Sequence, residues 1–133
     1  KINEEFYPNT IPAEYFLTPD PGQNDDVMAK EMGEGSLIIN ATGLGKDRPG
    51  SPLTDAAQFP KKAIVWEINY RGELTFMHQA EAQEKEKELD IQDGWMYFVY
   101  GWTQVMADVF HCELLGEKLQ KLSEIAREVQ SRK

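Results

Sequence analysis

The sequence predicts an α/β fold with a mainly parallel sheet, followed by two C-terminal helices. Three observations carry that expectation. Two continuous apolar runs of strand length, Ser36–Thr42 and Ala63–Tyr70, lack the alternation of a half-exposed strand. Such runs suit strands covered on both faces. They alternate with helix-like segments and glycine- and proline-rich turns, the order of a sheet built from crossover connections. The last third is helical in pattern, an aromatic segment from Gly94 to about Cys112 and an amphipathic one beyond Gly116.

Taken in order, Pro8 and Pro12 keep residues 1–12 irregular. Ala13–Leu17 has the composition of a short strand, ended by the turn Thr18-Pro19-Asp20-Pro21-Gly22. Asn24 or Asp25 is a suitable cap for a helix through Val27, Met28 and Met32, which Gly33 and Gly35 end. The first buried strand follows, then a glycine- and proline-rich loop with a short helix expected over Thr54–Gln58. After the second strand, Leu74–Leu89 reads as one helix and Leu89–Asp93 as a last short strand. On the final helix Leu115, Leu119, Leu122, Ala126 and Val129 form one apolar stripe. Trp95–Trp102 is apolar around its whole circumference, so it needs burial on all sides or a partner surface. That surface predicts a homodimer or aggregation if left uncovered.

The 133 residues allow one domain of ordinary size, and the net charge of −9 excludes nucleic acid and anionic membrane as main partners. No apolar run reaches the roughly 18 residues of a membrane span. The single cysteine, Cys112, has no internal disulfide partner. The dinucleotide fingerprint GxGxxG is missing, since Gly33-Glu34-Gly35 and Gly43-Leu44-Gly45 both lack the third glycine. Gly45-Lys46 fails the phosphate-loop spacing because Asp47 follows the lysine. His111 and Cys112 are helix neighbours that diverge by about 100°, so they do not share a metal ion, and no metal site is expected. In parallel sheets of this kind, ligands sit beyond the carboxyl ends of the strands. That rule singles out Asn40-Ala41-Thr42 with its loop, and Ile68-Asn69-Tyr70.

INATGLG (Ile39–Gly45), EINYRGELT (Glu67–Thr75) and Asp93-Gly94 before a helix together resemble the shikimate dehydrogenase family. Its members carry an INATPLGM-like segment, then D-x-x-Y-N-P-x-x-T, then a DG-x-x-ML-x-x-Q helix. The resemblance spans roughly Ala13–Leu115 and implies a partial Rossmann-like domain. Residues 1–93 would be an incomplete cofactor-binding α/β unit without its glycine-rich first turn, and 94–133 helices that pack toward a substrate domain.

The resemblance also implies NADP, or NAD, as cofactor. Asn40, Ala41 and Thr42 would line its cleft, with Ile68 and Gly94 at the main-chain contacts to its nicotinamide end. Tyr70 would touch a small polyol substrate such as shikimate, and Thr75 would fix the following turn. Three departures stand out: Glu67 for Asp, Arg71-Gly72 for Asn-Pro, and Lys46 for Met. Gly101 replaces a substrate-contacting glutamine, so the substrate need not be shikimate.

In that family the catalytic Lys and Asp lie in an N-terminal substrate domain. With Lys1 opening the chain, the expectation is a C-terminal fragment of a cytoplasmic oxidoreductase of aromatic amino acid biosynthesis, with no catalytic residue of its own. The rival readings are a non-catalytic descendant that binds a metabolite or a protein, and an ordinary interaction module with accidental motif matches.

Overall fold

A computed structural model describes residues 13–131. Three parallel strands, β1 (Leu37–Asn40), β2 (Ile64–Glu67) and β3 (Asp90–Gln92), form one sheet in the order β1-β2-β3. Leu37 pairs with Ile64 and Asn40 with Glu67, while Ile64 pairs with Asp90 and Trp66 with Gln92. The helices are α1 (Pro21–Glu31), α2 (Thr75–Glu81), α3 (Glu84–Lys87), α4 (Trp95–Phe110) and α5 (Glu117–Ser131). The architecture is therefore α/β with a parallel sheet and two C-terminal helices, consistent with a partial Rossmann-like fold.

The strand expected at Ala13–Leu17 is not formed. The segment is irregular, with Tyr15 and Leu17 exposed. An apolar run becomes a strand only where it finds a neighbour to pair with, and none lies beside it among the described residues. Helix α1 starts before the expected cap. Asp20 accepts a hydrogen bond from Gln23 N at 3.2 Å, and Pro21, with φ already helical, opens the first turn. Asn24 and Asp25 are then free to hold the crossover loop. Asn24 Nδ2 donates to Pro52 O at 2.8 Å, and Thr54 donates to Asp25 from both its backbone N–H and its hydroxyl.

That crossover, between β1 and β2, contains no helix at Thr54–Gln58, only a turn. Its buried backbone still needs hydrogen-bond partners, and two glutamines supply them. Gln79 of α2 donates to Leu53 O and accepts from Ser51 Oγ. Gln83 donates to Ala57 O at 2.8 Å and accepts from Phe59 N at 3.1 Å. Gln83 lies in the break between α2 and α3, so the helix expected over Leu74–Leu89 is two short ones. Glu88, at φ 53°, then turns the chain left-handed into β3.

One face of the sheet carries the main core. Ile38, Val65 and Ile91 point toward Leu53, Ala57, Phe59, Phe76, Ala80 and Leu89, with Met28 from α1 closing the layer. Phe59 and Phe76 meet edge to face at 5.8 Å. Phe76 is 2% exposed, and a phenyl buried this completely contributes about 1.5–3 kcal/mol.

The expectation that both sheet faces are covered is not met among the described residues. Leu37, Ile39 and Ile64 on the opposite face stay exposed, and Trp66 is shielded in part by the Tyr97 ring, 5.9 Å away. Both crossovers lie on the core face, because a sheet grown in one direction by right-handed connections puts them on the same side.

Helices α4 and α5 form a smaller cluster of Trp95, Val99 and Leu119, with Tyr70, Phe98 and Ala126 against it. Only part of the predicted stripe on α5 is used: Leu119 is buried, Leu122 and Ala126 half-buried, Leu115 and Val129 exposed. The apolar circumference of α4 is likewise divided, with Tyr97, Tyr100, Trp102, Val105, Val109 and Phe110 facing outward.

Candidate functional site

At the carboxyl ends of β1 and β2 the side chains turn polar. Asn40 and Glu67 end paired strands and lie opposite each other in register, both fully enclosed. Asn40 Nδ2 donates to Glu67 Oε2 at 2.8 Å. Glu67 Oε1 accepts from the backbone N–H and the side-chain amide of Asn69 at 2.9 and 2.7 Å. The buried carboxylate therefore holds three donors, with no cation beside it among the described residues, the kind of polar satisfaction that makes burial tolerable. Asn40 Oδ1 accepts from Thr42 N and Thr42 Oγ1, closing a tight turn directly after the strand. Leu44 O accepts from both Asn40 and Asn69, so the same network fixes the following loop.

Glycines draw the loops together. Gly72, at φ 101°, lies so close to the first loop that an added Cβ would stand 2.3 Å from Gly45 O and 2.7 Å from Lys46 Cα. Leu74 N donates to Gly45 O at 3.0 Å across the same contact. Gly94, ahead of α4, approaches the end of β2 even more closely: a Cβ there would lie 1.8 Å from Ile68 O. The loops after β1, β2 and β3 are thus in direct backbone contact.

Beside them is a cavity of about 280 Å³, lined chiefly by Ile68, Tyr70, Phe98, Gly101, Trp102 and Lys46. Tyr70 and Phe98 stack with ring centroids 4.0 Å apart and planes 21° from parallel. The Lys46 ammonium lies 5.4 Å and the Arg71 guanidinium 5.9 Å from the Tyr70 ring centre. Asp47 bridges the two cations, Oδ2 to Lys46 at 3.3 Å and Oδ1 to Arg71 at 3.3 Å.

Among the residues singled out by sequence, Ile68 and Tyr70 line this cavity, and Gly94 forms the backbone contact behind it. Ala41 and Thr42 are exposed at the neighbouring turn. Asn40 points inward and spends its amide on Glu67, Thr42 and Leu44, which shapes the loop. Thr75 is the first residue of α2, after the left-handed Leu74.

The strand-end rule singled out Asn69 but not its bonds to Glu67 and Leu44, and sequence reasoning did not place the aromatic wall of Phe98 and Trp102 at the site. The signal for the wall was present, since positions 94, 98, 101, 102 and 105 share one helical face. Among the described residues no group of three or more His, Cys, Asp and Glu side chains is placed to hold a metal ion. No described helix is long and apolar enough to cross a membrane. Comparisons with family models, curated proteins and solved structures return no match for this chain.

Proposed function

We propose that this chain builds the nicotinamide end of a cofactor cleft in an oxidoreductase resembling the shikimate dehydrogenases. The reaction would be a reversible NAD(P)-dependent hydride transfer between a 3-dehydroshikimate-like ketone and its alcohol. The observation that carries the reading is the convergence of the three resembling blocks. Glycines 45, 72 and 94, far apart in sequence, bring the three strand-end loops into backbone contact beside one aromatic cavity. Open parallel sheets bind ligands in this position.

The residues at hand suit the ring end of such a cofactor and not its diphosphate. Tyr70, Phe98 and Trp102 offer flat apolar surface at the cavity, whereas the glycine-rich diphosphate turn is missing from the sequence. When bound, the cofactor supplies the hydride. This chain's own part is to orient and shield. Ile68 and the backbone before Gly94 form the end wall, Tyr70 orients the substrate, and Trp102 and Tyr97 keep water from the ring. No residue here is assigned the proton transfer, which in the resembling family belongs to a lysine of the substrate domain.

Amide NMR of the full chain titrated with NADPH and with NADH tests this. Shifts at Ile68, Tyr70, Gly94 and Phe98 are expected; shifts confined to other surfaces, or none at millimolar cofactor, overturn it.

A second reading, a domain that binds a metabolite or a protein without turning it over, is favoured by one position. Gly101 stands at the cavity where the resembling family has its substrate-contacting glutamine, and an added side chain would meet nothing within 4 Å. If the dehydrogenase reading holds, Gly101→Gln restores shikimate binding detectable by the same NMR titration. A variant that folds but still ignores shikimate favours the second reading.

A further inference from the structure

Lys46 and Arg71 replace an apolar residue and an amide of the resembling family, and the fold brings both to the same ring. We infer that Lys46, which lines the cavity, together with Arg71 beside the Tyr70 ring, makes it an anion-selective site, which takes a ligand carrying a carboxylate or phosphate beside a planar ring. The inference rests on the cavity being a ligand pocket, as proposed above, and adds the charge of what enters it.

A carboxylate of the adjoining cavity already lies between the two cations. Asp47 spans both cations with one oxygen on each, at 3.3 Å and 3.3 Å, which shows that the ammonium and guanidinium are spaced to share a single anionic group. Asp47 is held loosely, because its side chain and that of Arg71 are both more than half exposed. Solvent-exposed pairs of this kind contribute little and are readily exchanged. Two cations facing one carboxylate leave a surplus positive charge in a chain whose net charge is −9. Arg48 and Glu73, at the adjoining cavity, are one of each sign and leave that surplus unchanged.

Lys46 is the better enclosed of the two, its side chain 23% exposed, and it lines the aromatic cavity itself. A ring lying against Phe98 and Trp102 with its anionic substituent toward Tyr70 would reach Lys46 without leaving the cavity. Asp47 then acts as an internal competitor that such a ligand displaces.

The test is a titration of the full chain, read by amide NMR, with benzoate, phenyl phosphate and the neutral benzamide. Site occupancy by benzoate or phenyl phosphate at least tenfold tighter than by benzamide supports the inference, and whichever anion binds tighter identifies the group. Lys46→Met should weaken the preferred anion about tenfold and leave benzamide unchanged, as expected for losing one charge-assisted hydrogen bond. Asp47→Asn should tighten the anion severalfold by removing the competitor. Dispersed spectra of both variants establish that they are folded.

Equal binding of benzoate and benzamide in the cavity overturns the anion inference and leaves the pocket intact. Failure of all three probes, with the NADPH titration also silent, overturns pocket and inference together. Anion binding that survives Lys46→Met, or that Asp47→Asn weakens, also refutes the proposal.

Discussion

Replacing Gly94 by alanine is the sharpest test of how the strand-end loops are assembled. An alanine Cβ would stand 1.8 Å from Ile68 O, 2.4 Å from Ile68 C and 2.7 Å from Asn69 O. Contacts under 3.0 Å are essentially never found, so the start of α4 must withdraw from β2 by at least 1.2 Å. All three obstacles are backbone atoms, and no side-chain rotation relieves them.

Withdrawal would also strain the Gly94 N–H bond to Asn69 O, at 3.2 Å, and the packing of Trp95 and Val99 on Leu119. Overpacking of this severity costs about 3 kcal/mol, which for a chain of this size lowers Tm by about 12 °C. Gly101→Ala is the matched control: it is also on α4, but its added methyl meets nothing within 4 Å. Removing a glycine from a helix interior should stabilise by about 0.5–1 kcal/mol. Thermal unfolding by circular dichroism, with urea titration followed by tryptophan fluorescence, measures both. A Gly94→Ala protein that melts within a degree or two of the parent would refute the close approach of α4 to β2, and with it the convergence of the three loops.

Three further outcomes are expected. Glu67→Gln presents an amide donor to Asn40 or to Asn69, both already donors, and should cost about 1–3 kcal/mol in urea unfolding; an unchanged midpoint would show that the network is not formed. Phe76→Ala empties the centre of the main core and should cost about 3–5 kcal/mol, whereas loss of under 1 kcal/mol would displace that core from its assigned residues.

The Glu34–Lys62 pair, 2.7 Å apart, holds the Glu34 carboxyl below its ordinary 4.5 and the Lys62 ammonium above its ordinary 10.5, each chiefly through their hydrogen bond. Its stabilising effect is therefore present between those values, lost as pH falls through the lowered Glu34 value, and lost again as pH rises through the raised Lys62 value. Glu34→Gln should differ from the parent only inside that window, by a small amount that salt erases. A difference at pH 7 that persists in about 1 M salt would contradict this assignment.

Elements with a local cause were legible in the sequence. The runs around Ile38 and Val65 became β1 and β2, and the Gly94 start of the aromatic helix and the Gly116 break before the last one were where the pattern placed them. Elements whose cause is distant were not. Ala13–Leu17 has strand composition but no neighbouring strand, and Leu74–Leu89 has helical composition but breaks where Gln83 turns to bond Ala57 and Phe59.

The site divides in the same way. The strand-end rule marked Ile68 and Tyr70 by position, and the family resemblance supplied their expected roles and that of Gly94. Pattern gave no access to the inward turn of Asn40, the three donors on Glu67, or the meeting of Lys46 and Arg71 at one aromatic ring. Periodicity reports which side of its own element a residue occupies, and this was enough to determine an α/β chain with parallel strands. Which side chains face each other across 25 or more residues depends on register and on backbone contacts such as Gly72 on Gly45. Only the tertiary structure decided those, since the energy of such a contact exists only after both loops are in place.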